Sequence, residues 1–290
     1  MKILVTGSKG QLGNELQELA PGFPEYQFTF IDIDELDLTD EKKTGTFFQV
    51  NSFNGIIHCA AYTAVDKAEK ERTQAIVLNA DVPKQLAEIA RSKRMWIIYI
   101  STDYVFDGIA FKPYNEEDQV NPLSVYGNSK FEGEVAVLNS KAKGIILRTS
   151  WLYSSFSNNF VKTILNKARQ GGDLCVVYDQ VGTPTYARDL AQTILTLIPE
   201  IKKNNKVELF HFSNEGVASW YDFAQAIVEL SGIKCNIQPV ETKDYPTSAI
   251  RPLYSVLNKG KIKKQFGIKI PYWRDSLKDC IEKIKTSGTF

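Results

Sequence analysis

Residues 1–20 read MKILVTGSKGQLGNELQELA, a short apolar strand that runs through a glycine-bearing turn into a helix. Gly7, Gly10 and Gly13 are spaced GxxGxxG, tighter than the GxGxxG of ordinary dinucleotide folds. Glycine lets the backbone turn sharply here and approach a pyrophosphate, which then sits on the helix N-terminus where unpaired N–H groups point outward. A strand before and a helix after are the context this motif requires, so Gly7, Gly10, Gln11, Leu12 and Gly13 are expected against a dinucleotide.

After the first helix, QFTFID (27–32) reads as a second strand ending in Asp32. An acid at that place accepts hydrogen bonds from the adenosine ribose and favours NAD(H). Lys9, inside the glycine turn, argues for NADP(H), because a cation there neutralises the extra phosphate; the two signals conflict. GIIHCAAYT (55–63) is a continuous apolar run of the kind buried on both faces of a parallel sheet. It ends in Cys59, Ala60 and Ala61, small enough to let a cofactor lie over the strand end, while His58 reads as a packed core side chain. Helical spacing of Val77, Leu86, Ala87 and Ala90 follows, then the strands MWIIYIS (95–101) and GIILRTSWLY (144–153). This alternation predicts an α/β fold, a doubly wound parallel sheet of Rossmann type.

Between those last two strands lie TDYVFDG (102–108) and NPLSVYGNSK (121–130). Tyr126 and Lys130 are four apart at the start of a predicted helix and share a face. An ammonium beside a phenol favours the phenolate, which predicts a Tyr126 pKa drawn down from about 10 and a proton donor usable near neutrality. Thr102, where a strand ends in a loop, is placed to hold a substrate oxygen within reach of that phenol.

The second half is mixed. NNFVKTILNKARQG and ARDLAQTILTLI read as helices, and DLCVVYDQ and VELFHFS as strands extending the parent sheet. SWYDFAQAIVELSG, CNIQPVET and RPLYSVLN predict a smaller α/β substrate-binding lobe, with Arg251 suited by its planar fork to a diphosphate. The expected division is a dinucleotide-binding domain of residues 1–150 with 174–213, a lobe of 151–173 with 214–272, and a C-terminal helix and tail of 273–290 ending in TSGTF. A formal net charge of +1 over 290 residues gives no electrostatic reason to expect nucleic acid or an anionic membrane. Cys59, Cys175, Cys235 and Cys280 show no CxxC pair, so neither zinc nor a disulfide framework is signalled. The first apolar run is too short for a signal peptide and no stretch is long enough to span a bilayer, which predicts a cytoplasmic protein.

VTGSKGQLGNEL, AAYTAVDKAE, ISTDYVFDG, NPLSVYGNSKFEGE, ILRTSWLY, NNFVKTIL, DQVGTPT and RPLYSVLN together resemble the short-chain dehydrogenase/reductase superfamily in its extended, sugar-nucleotide branch. The closer likeness is to the dTDP-4-dehydrorhamnose reductase family. The resemblance implies hydride transfer from NADP(H) or NAD(H) to the 4-keto group of a dTDP-sugar, with Tyr126, Lys130 and Thr102 catalytic. It implies that Asp37 and Leu38 flank the adenine, that Asp103 and Trp151 join Thr102 and Arg251 at the substrate, and that Asn79 sits at a helix bend near the site. Some members of the family join two subunits around a divalent ion held by glutamates. Glu15 matches the first of these, but Arg188 stands at the second, so no metal is expected and a homodimer would rest on apolar contact. Two other readings stay open at this level, an epimerase or dehydratase of the same branch and a non-catalytic nucleotide-binding regulatory subunit.

Overall fold

Alternation within the strands sets the layering. The computed structural model describes residues 1–287 apart from 202 and 204, so the end of the TSGTF tail lies outside the described residues. β1 (Lys2–Thr6) leads into α1 (Gln11–Leu19), and β2 (Gln27–Ile31), α2 (Glu41–Val50) and β3 (Gly55–His58) follow. Short helices α3 (Val65–Ala68) and α4 (Arg72–Ile76) pass through a π-helical turn, Val77–Asp81, into α5 (Val82–Ser92). Then come β4 (Trp96–Thr102), α6 (Val125–Asn139) and β5 (Lys143–Thr149). Beyond them lie β6 (Leu152–Tyr153), α7 (Phe160–Gln170), β7 (Leu174–Val177), β8 (Val181–Gly182), β9 (Thr185–Tyr186), α8 (Ala187–Ile201) and β10 (Val207–His211). The chain closes with β11 (Ala218–Ser219), α9 (Trp220–Ser231), β12 (Ile237–Val240), α10 (Gly260–Phe266) and α11 (Trp273–Thr286).

Among the described residues the central sheet has six strands, all parallel, in the order β10-β5-β4-β3-β1-β2. Neighbouring residues on its strands feed two separate cores. Ile3, Val5, Ile57, Ile98, Ile145 and Leu147 pack with Leu12 and Leu16 of α1 and the apolar face of α8. Leu4, Ile56, Ile97 and Ile146 pack the other way, with Phe48 of α2, Leu86 and Ala90 of α5, and Val137 of α6. Burial on both faces is why these strands read as unbroken apolar runs.

A third core joins α7, α9 and α11 with Val176 of β7 and Ile237 of β12. The expected strand over DLCVVYDQ forms, but as β7 it pairs in parallel with β12 and does not extend the central sheet. Its burial differs from that of a central strand: Leu174 is only partly covered and Cys175 is exposed, whereas β3 is buried throughout. VELFHFS does join the sheet, as β10 beside β5. The lobe helices begin where their polar residues say they should. Asn159 caps α7 by accepting from the Lys162 N–H at 3.2 Å. Ser219 and Asp222 form a reciprocal capping box on α9, which ends at Gly232 in the left-handed conformation.

Helix α6 carries the Tyr126–Lys130 pair, and its seat is fixed at three points. Ser124 caps it, accepting from the Gly127 N–H at 3.1 Å. At Gly133 it lies so close to the π-helical turn that a Cβ would stand 2.1 Å from the Asn79 carbonyl oxygen. One turn beyond Lys130, Glu134 accepts both arms of Arg148 from β5, Nε at 2.8 Å and Nη2 at 2.7 Å, with both side chains buried. Removing one member of a buried, bidentate pair leaves an uncompensated charge. Glu134→Ala is therefore expected to cost about 3–5 kcal/mol of unfolding free energy in urea titration, with Glu134→Gln losing less.

Candidate functional site

A cleft of about 810 Å³ opens at the carboxyl ends of β1, β3, β4 and β5, where strand order reverses and ligands of doubly wound sheets bind. The glycine turn, Asp32, Asp37 and Leu38, the Cys59–Ala61 floor, Thr102, Asp103, Tyr126, Lys130, Trp151 and Arg251 all line it. Residues drawn from opposite ends of the sequence thus share one space.

At the glycine end, Gly7 has φ +68, and a Cβ there would lie 2.5 Å from the Ala60 amide nitrogen. A Cβ on Gly13 would strike the Gly7 carbonyl oxygen at 2.3 Å, so turn and helix close on each other only because both residues are glycine. Gly10 heads α1 with no side-chain cap, leaving the first-turn N–H groups for an anion. Gln11 Oε1, Ser101 Oγ and Thr149 Oγ1 are buried along the cleft without protein partners. An uncapped helix start, a small-residue floor and unpaired buried polar atoms fit a dinucleotide. Asp32 accepts from the backbone N–H groups of Lys9 at 2.8 Å and Ile33 at 2.9 Å, so its carboxylate helps hold the glycine turn in place. The Lys9 ammonium pairs with Asp34 at the exposed rim. Both residues that argued over the cofactor thus have protein partners. Asp37 accepts from the amide and hydroxyl of Thr39, and Leu38 is buried.

At the other end, Thr102 donates to Asp103 Oδ1 at 3.0 Å, and its hydroxyl acts on the Tyr126 phenol, which lines the same cleft. The expectation that Lys130 draws the Tyr126 pKa down is not met. Burial pushes the phenol upward, and the Thr102 hydrogen bond opposes this only in part. Helical spacing does put Tyr126 and Lys130 on one face, but the lysine turns inward. Its ammonium donates to the Ile100 carbonyl at 2.6 Å and lies 4.2 Å from the centre of the Tyr99 ring. Burial lowers the Lys130 pKa to about 7, against the attraction of Glu134 and Cys59. Asp103 is raised to about 6, again by burial, with hydrogen bonds from Ser255 and Thr102 working against it. His58 is a core side chain as expected, 2.7 Å from the Thr6 hydroxyl and lowered to about 3 by burial and the nearby Lys130. Asn79 lies in the π-helical turn outside the cleft lining, bonded to both backbone groups of Tyr62 and to Ser129.

Trp151 adopts φ +47, an unusual backbone conformation for a bulky residue, and its indole stacks on Trp220 at 3.7 Å between centroids and 10° between planes. Phe160 packs against Trp220 in turn, at 4.6 Å. Sequence reading missed Trp220, Phe160 and Tyr104 as cleft residues. Trp220 and Phe160 stand at the first positions of their helices, and a tryptophan directly after a serine cap was the available signal.

Glu15 is fully buried behind the glycine turn. It takes Ser154 at 2.6 Å, Arg188 Nη1 at 3.3 Å and Lys283 Nζ at 3.0 Å, and the same two cations also reach Glu18. Arg188 pairs with Glu15 of its own chain, but this is no exposed pair of small worth, because the carboxylate has no contact with water. Lys283 was not foreseen. With two fixed cations on one carboxylate, these residues do not fit a divalent ion, and among the described residues no group of three or more His, Cys, Asp or Glu is arranged to hold one.

Sheet, cleft and the Thr102–Tyr126–Lys130 set define the class of short-chain dehydrogenases/reductases in its extended form. The family profile described as the RmlD substrate binding domain matches residues 1–286. The dTDP-4-dehydrorhamnose reductase of Aggregatibacter actinomycetemcomitans is 41% identical over 96% of this chain and 97% of its own length. A crystal structure of the reductase from Clostridium acetobutylicum superposes with a TM-score of 0.94 at 43% identity, covering 98% of this chain and all of that one (100%). The Bacillus anthracis reductase, solved in complex with NADP, gives 0.91 at 37% identity, over 97% of this chain and 99% of its own. The chain belongs to the dTDP-4-dehydrorhamnose reductase family.

Two outcomes follow from this geometry. Lys130 has a folded pKa of about 7, below its ordinary 10.5, so it loses its proton as pH rises through about 7. The kcat/KM for reduced cofactor, which reports the free enzyme, should fall by about tenfold per pH unit above that point, and Lys130→Arg should flatten this limb. The two-cation clasp at Glu15 predicts that turnover and sedimentation are unchanged by a strong chelator or by added magnesium. A chelator effect reversed by magnesium would show that a metal is held after all.

Proposed function

We propose that the chain reduces the 4-keto group of dTDP-4-dehydro-L-rhamnose (dTDP-6-deoxy-L-lyxo-4-hexulose) to dTDP-L-rhamnose, using NADPH or NADH. The observation that carries the reading is the Tyr126 phenol set beside the Thr102 hydroxyl at the deep end of a dinucleotide cleft. Bound at the glycine turn, the reduced nicotinamide cofactor supplies the hydride. Tyr126, held protonated by burial, is the acid that gives its proton to the C4 oxygen as that oxygen gains charge. Thr102 orients the carbonyl, and the two hydroxyls stabilise the developing oxyanion. Lys130 fixes the cofactor ribose, and its positive form favours loss of the phenolic proton. Asp103, Trp151 and Arg251 hold the sugar and diphosphate, Arg251 through its planar fork. Gly7, Gly10, Gln11, Leu12 and Gly13 take the pyrophosphate, Asp37 and Leu38 flank the adenine, and Cys59, Ala60 and Ala61 form the floor beneath the cofactor.

The NADP in the Bacillus anthracis relative supports NADPH as the better substrate. Residues 1–150, with α8 and β10, are assigned to the cofactor, and the elements sharing the third core to the lobe that grips the nucleotide-sugar. The reading includes the cytoplasm, where thiols stay reduced, and a homodimer built on apolar contact; Val135 and Leu138 stand exposed on α6 as surface for it. Dehydratases of this branch place an acid pair after the threonine, whereas this loop reads Thr102–Asp103–Tyr104. Among the described residues no helix is long and apolar enough to cross a membrane.

Absorbance at the reduced-cofactor band, with the keto sugar nucleotide added, tests the reaction. Tyr126→Phe should lower turnover by about a hundredfold or more while cofactor affinity stays near that of the parent. Parent-like turnover in that variant would remove Tyr126 as the proton donor.

A further inference from the structure

The AVDKAE segment (64–69) makes contacts that the reaction above does not use. Asp66 of α3 accepts from Arg251 Nη2 at 2.6 Å and from the Ala249 backbone N–H at 3.1 Å. One carboxylate thus grips both the side chain and the backbone of the lobe segment that carries the arginine. Three residues on, Glu69 accepts at 2.9 Å from the Val125 N–H, the first of α6. Arg251 donates its other arm, Nη1, to the Tyr104 hydroxyl at 3.1 Å. Tyr104 in turn meets the Tyr126 ring edge-on, with centroids 5.5 Å apart and planes at 76°. Arg251 and Tyr104 line the cleft, and Asp66 stands behind them outside its lining.

An arginine side chain loses rotamer entropy when it is fixed, and a ligand that has to order it bears that cost. Asp66 and Tyr104 occupy two of the five guanidinium N–H donors and set the plane of the fork, leaving others for an anion. We infer that Asp66 is a positioning residue for the nucleotide-sugar: it holds Arg251 ready for the diphosphate and, through Arg251, holds Tyr104 against the proton donor. This rests on the proposed nucleotide-sugar substrate.

The test is calorimetric titration of the full chain, with oxidised cofactor present, using thymidine 5′-diphosphate and, separately, thymidine. Asp66→Ala should weaken the diphosphate by about tenfold and leave thymidine unchanged. The double variant Asp66→Ala/Arg251→Ala should bind the diphosphate no worse than Arg251→Ala alone, since Asp66 acts only through the arginine. In turnover, Asp66→Ala should raise KM for the keto sugar nucleotide and leave KM for reduced cofactor unchanged. Should the alanine variant fail to fold, isosteric Asp66→Asn should show the same ranking with a smaller loss. Parent-like diphosphate binding, equal losses for both ligands, or additive losses in the double variant would each overturn the inference. Failure of the parent protein to bind thymidine 5′-diphosphate would instead strike down the substrate reading, and the inference with it.

Discussion

The buried pair of Glu134 and Arg148 is the constraint on which the rest of the site depends. Helix α6 brings Tyr126 and Lys130 to the cleft, yet its contact with the sheet is made largely by small residues, which give closeness without much apolar area. Holding such a helix in register calls for a directional interaction, and a two-pronged arginine–carboxylate bond supplies one. Arg148 also lies 5.0 Å from the Phe106 ring, so the loop after Thr102 is packed against the same guanidinium. Catalytic helix, catalytic loop and strand β5 therefore meet at one buried charge.

Much of this was legible beforehand because its signals are local. The glycine turn sits between a strand and a helix, and the strands that are buried twice read as apolar runs. What could not be read depends on partners distant in sequence. Nothing in the apolar run of β7 says which sheet it joins, since that is settled by β12, some sixty residues on. Trp220 becomes a cleft residue only because Trp151 turns toward it, and Arg188 was recognised as a partner of Glu15 while Lys283, on the last helix, was not.

The electrostatic expectation failed for a related reason. Spacing of four on a helix fixes which face a lysine occupies, but the direction of its flexible stem is decided by what waits below. Here that is the Ile100 carbonyl at the end of β4, together with the face of Tyr99. Desolvation then acts on both members of the pair in opposite directions, keeping the tyrosine neutral and loosening the proton of the lysine. The resting site thus keeps on its acid the proton that reduction of a ketone requires.

The clasp at Glu15 bears on how the chain folds. Its carboxylate belongs to α1, while one of its two cations belongs to α11, 268 residues later. Until α11 has docked, the helix that presents the glycine turn carries an acid whose full set of partners is not yet in place, so it has reason to stay hydrated and loosely docked. The nucleotide cleft is in this sense finished from behind, by α11. A contact so remote in sequence also raises the contact order, and slow, late consolidation is the kinetic mark of such a topology.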